Sequence, residues 1–72
     1  MFKLAKIKKL EAALRELLEA AEFKRDLMEG RLELMRISSQ ETGTFSDVDL
    51  KLVETELNFL NKEIAMMKEA LS

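Results

Sequence analysis

Residues 46–72 read SDVDLKLVETELNFLNKEIAMMKEALS, and the order of apolar and polar residues in this stretch decides the fold. Leu50, Val53, Leu57, Leu60, Ile64, Met67 and Leu71 recur at alternating steps of three and four. That is the a/d seam of a coiled coil. Val48, Leu52, Phe59, Met66 and Ala70 form a second set. At about 100° per residue they point away from the seam. One neighbouring helix covers one stripe, so a helix with two stripes needs a second neighbour. The stretch also opens with a start signal. Ser46 suits an N-cap, and Asp49 makes a short version of the capping-box partner. Phe45 and Leu50 hold the positions of a hydrophobic staple, and Asp47 and Asp49 suit the positive end of the helix dipole.

Working toward the N-terminus, Ser38 to Phe45 read as a connection, with Gly43 near its tip. Before it lies a longer helical pattern, expected over about residues 3–37, rich in strong helix formers. Its main stripe is Ile7, Leu10, Leu14, Leu17, Leu18, Ala21, Met28, Leu32 and Met35. Gly30 costs about 1 kcal/mol against alanine in a helix. The stripe keeps its phase across Gly30, so one continuous helix is expected, a local kink being the alternative. A second stripe, Phe23, Leu27, Leu34 and Ile37 flanked by Ala20 and Gly30, lies nearly opposite. The expected fold is all-α: an antiparallel two-helix hairpin, coiled-coil-like, that completes a helical bundle by oligomerisation. It is one domain over 1–72, with a loop over about 38–46 and a second helix over about 47–71.

Composition agrees. The chain is 47% hydrophobic and 36% charged, with no proline, which fits a folded helical domain rather than a disordered one. A core of 72 residues supplies little stability, and small domains commonly add disulfides, metals or a partner. Cysteine and histidine are both absent, which leaves the partner. The absence of cysteine fits a reducing, cytoplasmic setting. Net charge is −2, so no general nucleic-acid footprint is expected. No transmembrane or signal-peptide segment is expected either.

The unequal helices imply an overhang. Folded back from the loop, Leu71 is expected near Ala13, leaving residues 1–12, MFKLAKIKKLEA, beyond the hairpin by on the order of 15 Å. This segment holds Lys3, Lys6, Lys8 and Lys9, four of the twelve basic residues, and the rest of the chain is correspondingly acidic.

The seam expected inside the hairpin is Leu14, Leu17, Ala21, Met28, Leu32 and Met35 against Leu50, Val53, Leu57, Leu60, Ile64, Met67 and Leu71. The expected surface for a partner or a second copy is Phe23, Leu27, Leu34, Ile37, Val48, Leu52, Phe59 and Met66. Self-association, as a homodimer, is preferred over a different helical partner because homo-oligomers are common. A peripheral membrane role for the basic amphipathic residues 1–12 is a further alternative. That segment is short and has no tryptophan, so a membrane partner is not the preferred reading. Met66 and Met67 point to different faces and do not form one pocket. No catalytic, cofactor-binding or metal-ligating residue is assigned. Acid–base and nucleophilic work would lack His and Cys, the carboxylates Glu54, Glu56 and Glu63 sit at ordinary solvated positions, and no phosphate loop is present.

In layout the hairpin resembles the plasmid RNA-binding protein Rop, but the body here is acidic where RNA binding would need a basic face. It also resembles the small hairpin co-chaperones of type III secretion, which dock a partner through an apolar face. Sporulation hairpin phosphatases carry Ser-Gln-Glu-Leu-Asp on a helix. Here Ser39-Gln40-Glu41 is followed by Thr42-Gly43 in an expected loop, so their activity is not carried over. The expected function is that of a non-enzymatic interaction module, a scaffold, adaptor or small chaperone. The alternative is a subunit of a heteromeric complex such as a secretion-type co-chaperone.

Overall fold

The computed structural model describes the backbone of residues 2–72 and the side chains from Leu4 onward. Two helices account for it: α1, Phe2–Thr42, and α2, Asp47–Leu71. They fold back on each other as an antiparallel hairpin 61 × 15 × 15 Å in extent. At about 1.5 Å per residue, α1 alone spans that length. It runs through Gly30 unbroken, as the continuous phase of its stripe predicts. The side chains of Met1, Phe2 and Lys3, which belong to the overhang read from the sequence, lie outside the described residues.

The connection is shorter than expected, because α1 continues through Ser38–Thr42. Ser38, Ser39 and Thr42 are poor helix formers, since their hydroxyls compete for backbone partners. Here the Ser39 and Thr42 hydroxyls are satisfied without leaving the helix. Thr42 Oγ1 donates to the Ser38 carbonyl at 2.7 Å, and Ser39 Oγ donates across the loop to the Phe45 carbonyl at 2.7 Å. Gly43 ends the helix. Its φ is +67°, and its N–H donates to the Ser39 carbonyl at 2.9 Å, which is the left-handed helix stop that glycine adopts at least cost.

The start of α2 follows its sequence signal. The Asp49 N–H donates to Ser46 Oγ and the Ser46 N–H donates to Asp49 Oδ2, both at 3.2 Å, closing a complete capping box. Asp47 and Asp49 occupy the first turn of α2 and Lys68 the last, so both ends complement the dipole.

Two interhelical ion pairs mark the register: Arg36 Nη2 to Glu54 Oε1 at 2.8 Å, and Lys68 Nζ to Glu22 Oε2 at 3.7 Å. In both, the residue numbers sum to 90. Leu71 therefore lies level with Glu19 and lines a groove with Leu18, not with Ala13 as expected. The extra helical residues before Gly43 cause most of the difference, because they move the end of α1 five positions along the chain. The overhang grows to residues 2–17, roughly 24 Å.

The α1 seam facing α2 is Leu18, Ala21, Arg25, Met28, Leu32, Met35 and Ser39, all half-buried except buried Leu32, and half-buried Leu14 continues its phase into the overhang. It corrects two readings. Leu17 is not in the seam; it is 62% exposed, one residue out of phase, and Leu18 takes its place. Arg25 fills the step between Ala21 and Met28, its guanidinium held by Glu22 at 4.0 Å and Asp26 at 3.2 Å. The α2 seam has the expected seven residues, with Leu60 and Ile64 buried and the others half-buried. Leu32, Leu60 and Ile64 are the buried hydrophobic core of the described residues.

Candidate interaction surface

The heptad geometry sorts the rest of the surface. Residues flanking the seam on one side of the hairpin are Glu22, Glu29 and Arg36 of α1 with Glu54, Asn61 and Lys68 of α2. This polar side carries both interhelical ion pairs. Each is exposed and contributes at most about 1 kcal/mol. The opposite side has Leu17, Lys24, Arg31 and Ser38 of α1 facing Asp49, Glu56, Glu63 and Ala70 of α2. There Lys24, Glu56 and Glu63 line a groove with Met28, Phe59 and Leu60.

Phe23, Leu27, Leu34, Ile37, Val48, Leu52, Phe59 and Met66 are all exposed in the isolated hairpin. Phe23 is 67% exposed and Phe59 62%, far more than either seam. The hairpin leaves these apolar residues uncovered along both helices. The structure does not merge them into one patch. Lys24 borders the stripes of both helices, lining one concavity with Leu27 and Arg31 and another with Phe59 and the two glutamates. A flat partner covering both stripes would bury this charged lane, at an effective cost of several kcal/mol per ion unless each is paired.

The two stripes also differ in quality. On α1, Ala20, Phe23, Leu27, Gly30, Leu34 and Ile37 alternate by three and four, giving two contact positions per heptad. On α2, Leu52, Phe59 and Met66 are spaced by seven, one per heptad, with Val48 alongside. Knobs-into-holes packing needs the first pattern. Phe59 already has a local companion, since Lys62 Nζ lies 5.9 Å from its ring centroid. Nearer the loop, Leu34, Met35, Phe45 and Val53 line an apolar concavity of about 510 Å³ with Arg31 and Ser38.

The overhang adds Leu4, Ile7, Leu10 and Leu17, each at least half exposed. Residues 1–17 hold five basic and two acidic residues, and 18–72 hold seven and twelve. The overhang at its full length is thus net +3 and the rest of the chain net −5, the same asymmetry as for residues 1–12. Among the described residues, no group of three or more carboxylates is placed to hold a metal ion, and no helix is long and apolar enough to cross a membrane.

No family model, curated protein or solved structure matches this chain.

Proposed function

We propose that this chain is a non-enzymatic protein–protein interaction module, a hairpin that associates with a second copy of itself and serves as a scaffold, adaptor or small chaperone. The observation that carries the reading is the second heptad stripe of α1. Phe23, Leu27, Leu34 and Ile37 repeat at coiled-coil spacing, yet all four are exposed in the single hairpin. A helix patterned on two opposite faces and covered on one is incomplete without a neighbour. The small core points the same way, because three buried residues give a marginal domain and association adds burial that the hairpin lacks.

Light scattering coupled to size exclusion tests this. The intact chain is expected to run as a dimer at high micromolar concentration. Phe23→Glu should shift the mass toward monomer, because a charge there is desolvated on association. Leu57→Glu, on the seam between the helices, should unfold the hairpin outright. A wild-type monomer at that concentration, with Phe23→Glu equally stable, overturns self-association and leaves a different helical protein as the occupant of the stripe.

A further inference from the structure

We infer that two copies join through the backs of their α1 helices, and that these helices run parallel. The inference rests on the self-association proposed above and specifies the surface and the orientation. The back seam is Ala20, Phe23, Leu27, Gly30, Leu34 and Ile37, about 27 Å long. Read as a heptad, Ala20, Leu27 and Leu34 are its a positions and Phe23, Gly30 and Ile37 its d positions. The seam stops at Ala20, since Glu16, Lys9 and Lys6 hold three of the next four positions toward the overhang and Ala13 the other.

The residues flanking the seam set the orientation. On one edge are Lys24 and Arg31; on the other are Glu19, Asp26 and Glu33. All five are exposed. Lys24 and Arg31 bracket Leu27 around a concavity of about 410 Å³, which places them beside the stripe. In a parallel pair each g residue meets the e residue five positions on in its neighbour. Glu19 then meets Lys24 of the second copy, and Asp26 meets Arg31, twice each by symmetry. Asp26 Oδ1 also takes the Arg25 guanidinium within its own chain, at 3.2 Å, and the Asp26 side chain stays 66% exposed. In an antiparallel pair like edges face each other. Lys24 would oppose Arg31, and Asp26 would oppose Glu33. That orientation offers one gain, Leu27 over the space left by Gly30, but it turns each of these attractive contacts repulsive. The parallel pair sets the four helices in a row, with each α2 outermost. It also keeps the lane of Lys24, Glu56 and Glu63 out of the middle of a square bundle.

The chain contains no cysteine, so single-cysteine variants of the full chain report proximity cleanly. A disulfide needs Cα atoms within about 7 Å. In the parallel pair Ala20 meets its own copy, whereas in the antiparallel one it meets Ile37, with the two Ala20 sites about 25 Å apart. In a glutathione redox buffer, Ala20→Cys is expected to form a disulfide dimer at least about tenfold more readily than Asn61→Cys, a control on the polar side. A mixture of Ala20→Cys and Ile37→Cys should give mainly like-with-like disulfides. Arg31→Glu should weaken the dimer roughly 4- to 30-fold by light scattering across a dilution series, as two attractive contacts become repulsive. Preferred Ala20–Ile37 cross-linking, or tighter association of Arg31→Glu, overturns the parallel orientation. A wild-type dimer whose Ala20→Cys cross-links no better than the control overturns this face while leaving self-association standing. A wild-type monomer overturns both.

Discussion

The two glycines should respond to the same substitution with opposite signs. Gly30 lies inside α1, and a Cβ built there meets no atom within 4 Å. Within the hairpin nothing opposes the propensity gain of Gly30→Ala, which is about 0.8–1.0 kcal/mol in a helix interior. Its source is mainly the unfolded chain, where alanine has fewer conformations to lose than glycine. At about 1 kcal/mol the folding equilibrium constant rises roughly fivefold, and Tm rises by about 4–8 °C for a domain of this size. Gly43 is equally uncrowded, but its φ is +67°. Alanine there meets the left-handed penalty of about 1–2 kcal/mol, so Gly43→Ala should lower Tm by a comparable interval or more. The measurement is a pair of thermal melts followed by circular dichroism at 222 nm. Both variants and the parent are held at one chain concentration, because association makes Tm depend on concentration. A Gly30→Ala variant no more stable than the parent, with its mass in solution unchanged, would refute continuous helix at that position and imply a break or bend that needs glycine. A Gly43→Ala variant that melts with the parent would refute the left-handed stop.

Three further expectations follow from the same geometry. Ser46→Ala removes the oxygen that accepts the Asp49 N–H and should cost about 0.5–2 kcal/mol in urea titrations; melts that overlay the parent would misplace the start of α2. Leu32→Ala should cost about 2–5 kcal/mol, since Leu32 is 5% exposed, whereas Leu17→Ala should stay within about 0.5 kcal/mol; comparable losses would restore Leu17 to the seam. Deleting residues 1–9 should leave the hairpin folded by circular dichroism, because the α1 seam facing α2 begins beyond them; complete unfolding of the shortened chain would contradict the register marked by Arg36–Glu54 and Glu22–Lys68.

Most of the hairpin was legible because its signals are local and repeat. The α2 seam, the capping box at Ser46 and the continuity of α1 through Gly30 each follow from spacing or from one named motif. What misled was the stretch from Ser38 to Thr42. Its serines and threonine favour loops by intrinsic preference, and hydroxyl partners, such as the Phe45 carbonyl for Ser39 and the Ser38 carbonyl for Thr42, make helix acceptable there. That one shift carried the level of Leu71 and the length of the overhang with it. Leu17 was misplaced because Leu17 and Leu18 are adjacent and equally apolar; a register with α2 was needed to choose between them. Arg25 is charged, so a pattern of apolar residues passes over it. The unbroken step from Ala21 to Met28 already required something at position 25. Exposure of the second stripes was anticipated, but the charged lane dividing them was not, since it requires knowing which flank of each helix faces the other.

The back seam of α1 also bears on how stability and assembly are linked. In the single hairpin, α1 contributes one buried residue, Leu32, to a core that α2 completes with Leu60 and Ile64. Covering Phe23, Leu27, Leu34 and Ile37 would add burial on the same helix, at roughly 1.5–3 kcal/mol for each side chain fully removed from water, before the cost of association. That gain is comparable with the whole stability of a domain this small. Folding and pairing should therefore be coupled: below its association midpoint the chain should lose helicity together with mass, not as a folded monomer peeling from a dimer. A dilution series read by circular dichroism and light scattering separates the two behaviours. Coincident transitions mean that the second copy is part of the fold. A fall in mass with unchanged helicity means that the seam with α2 is sufficient alone, and that the exposed stripe of α1 is held ready on a finished domain.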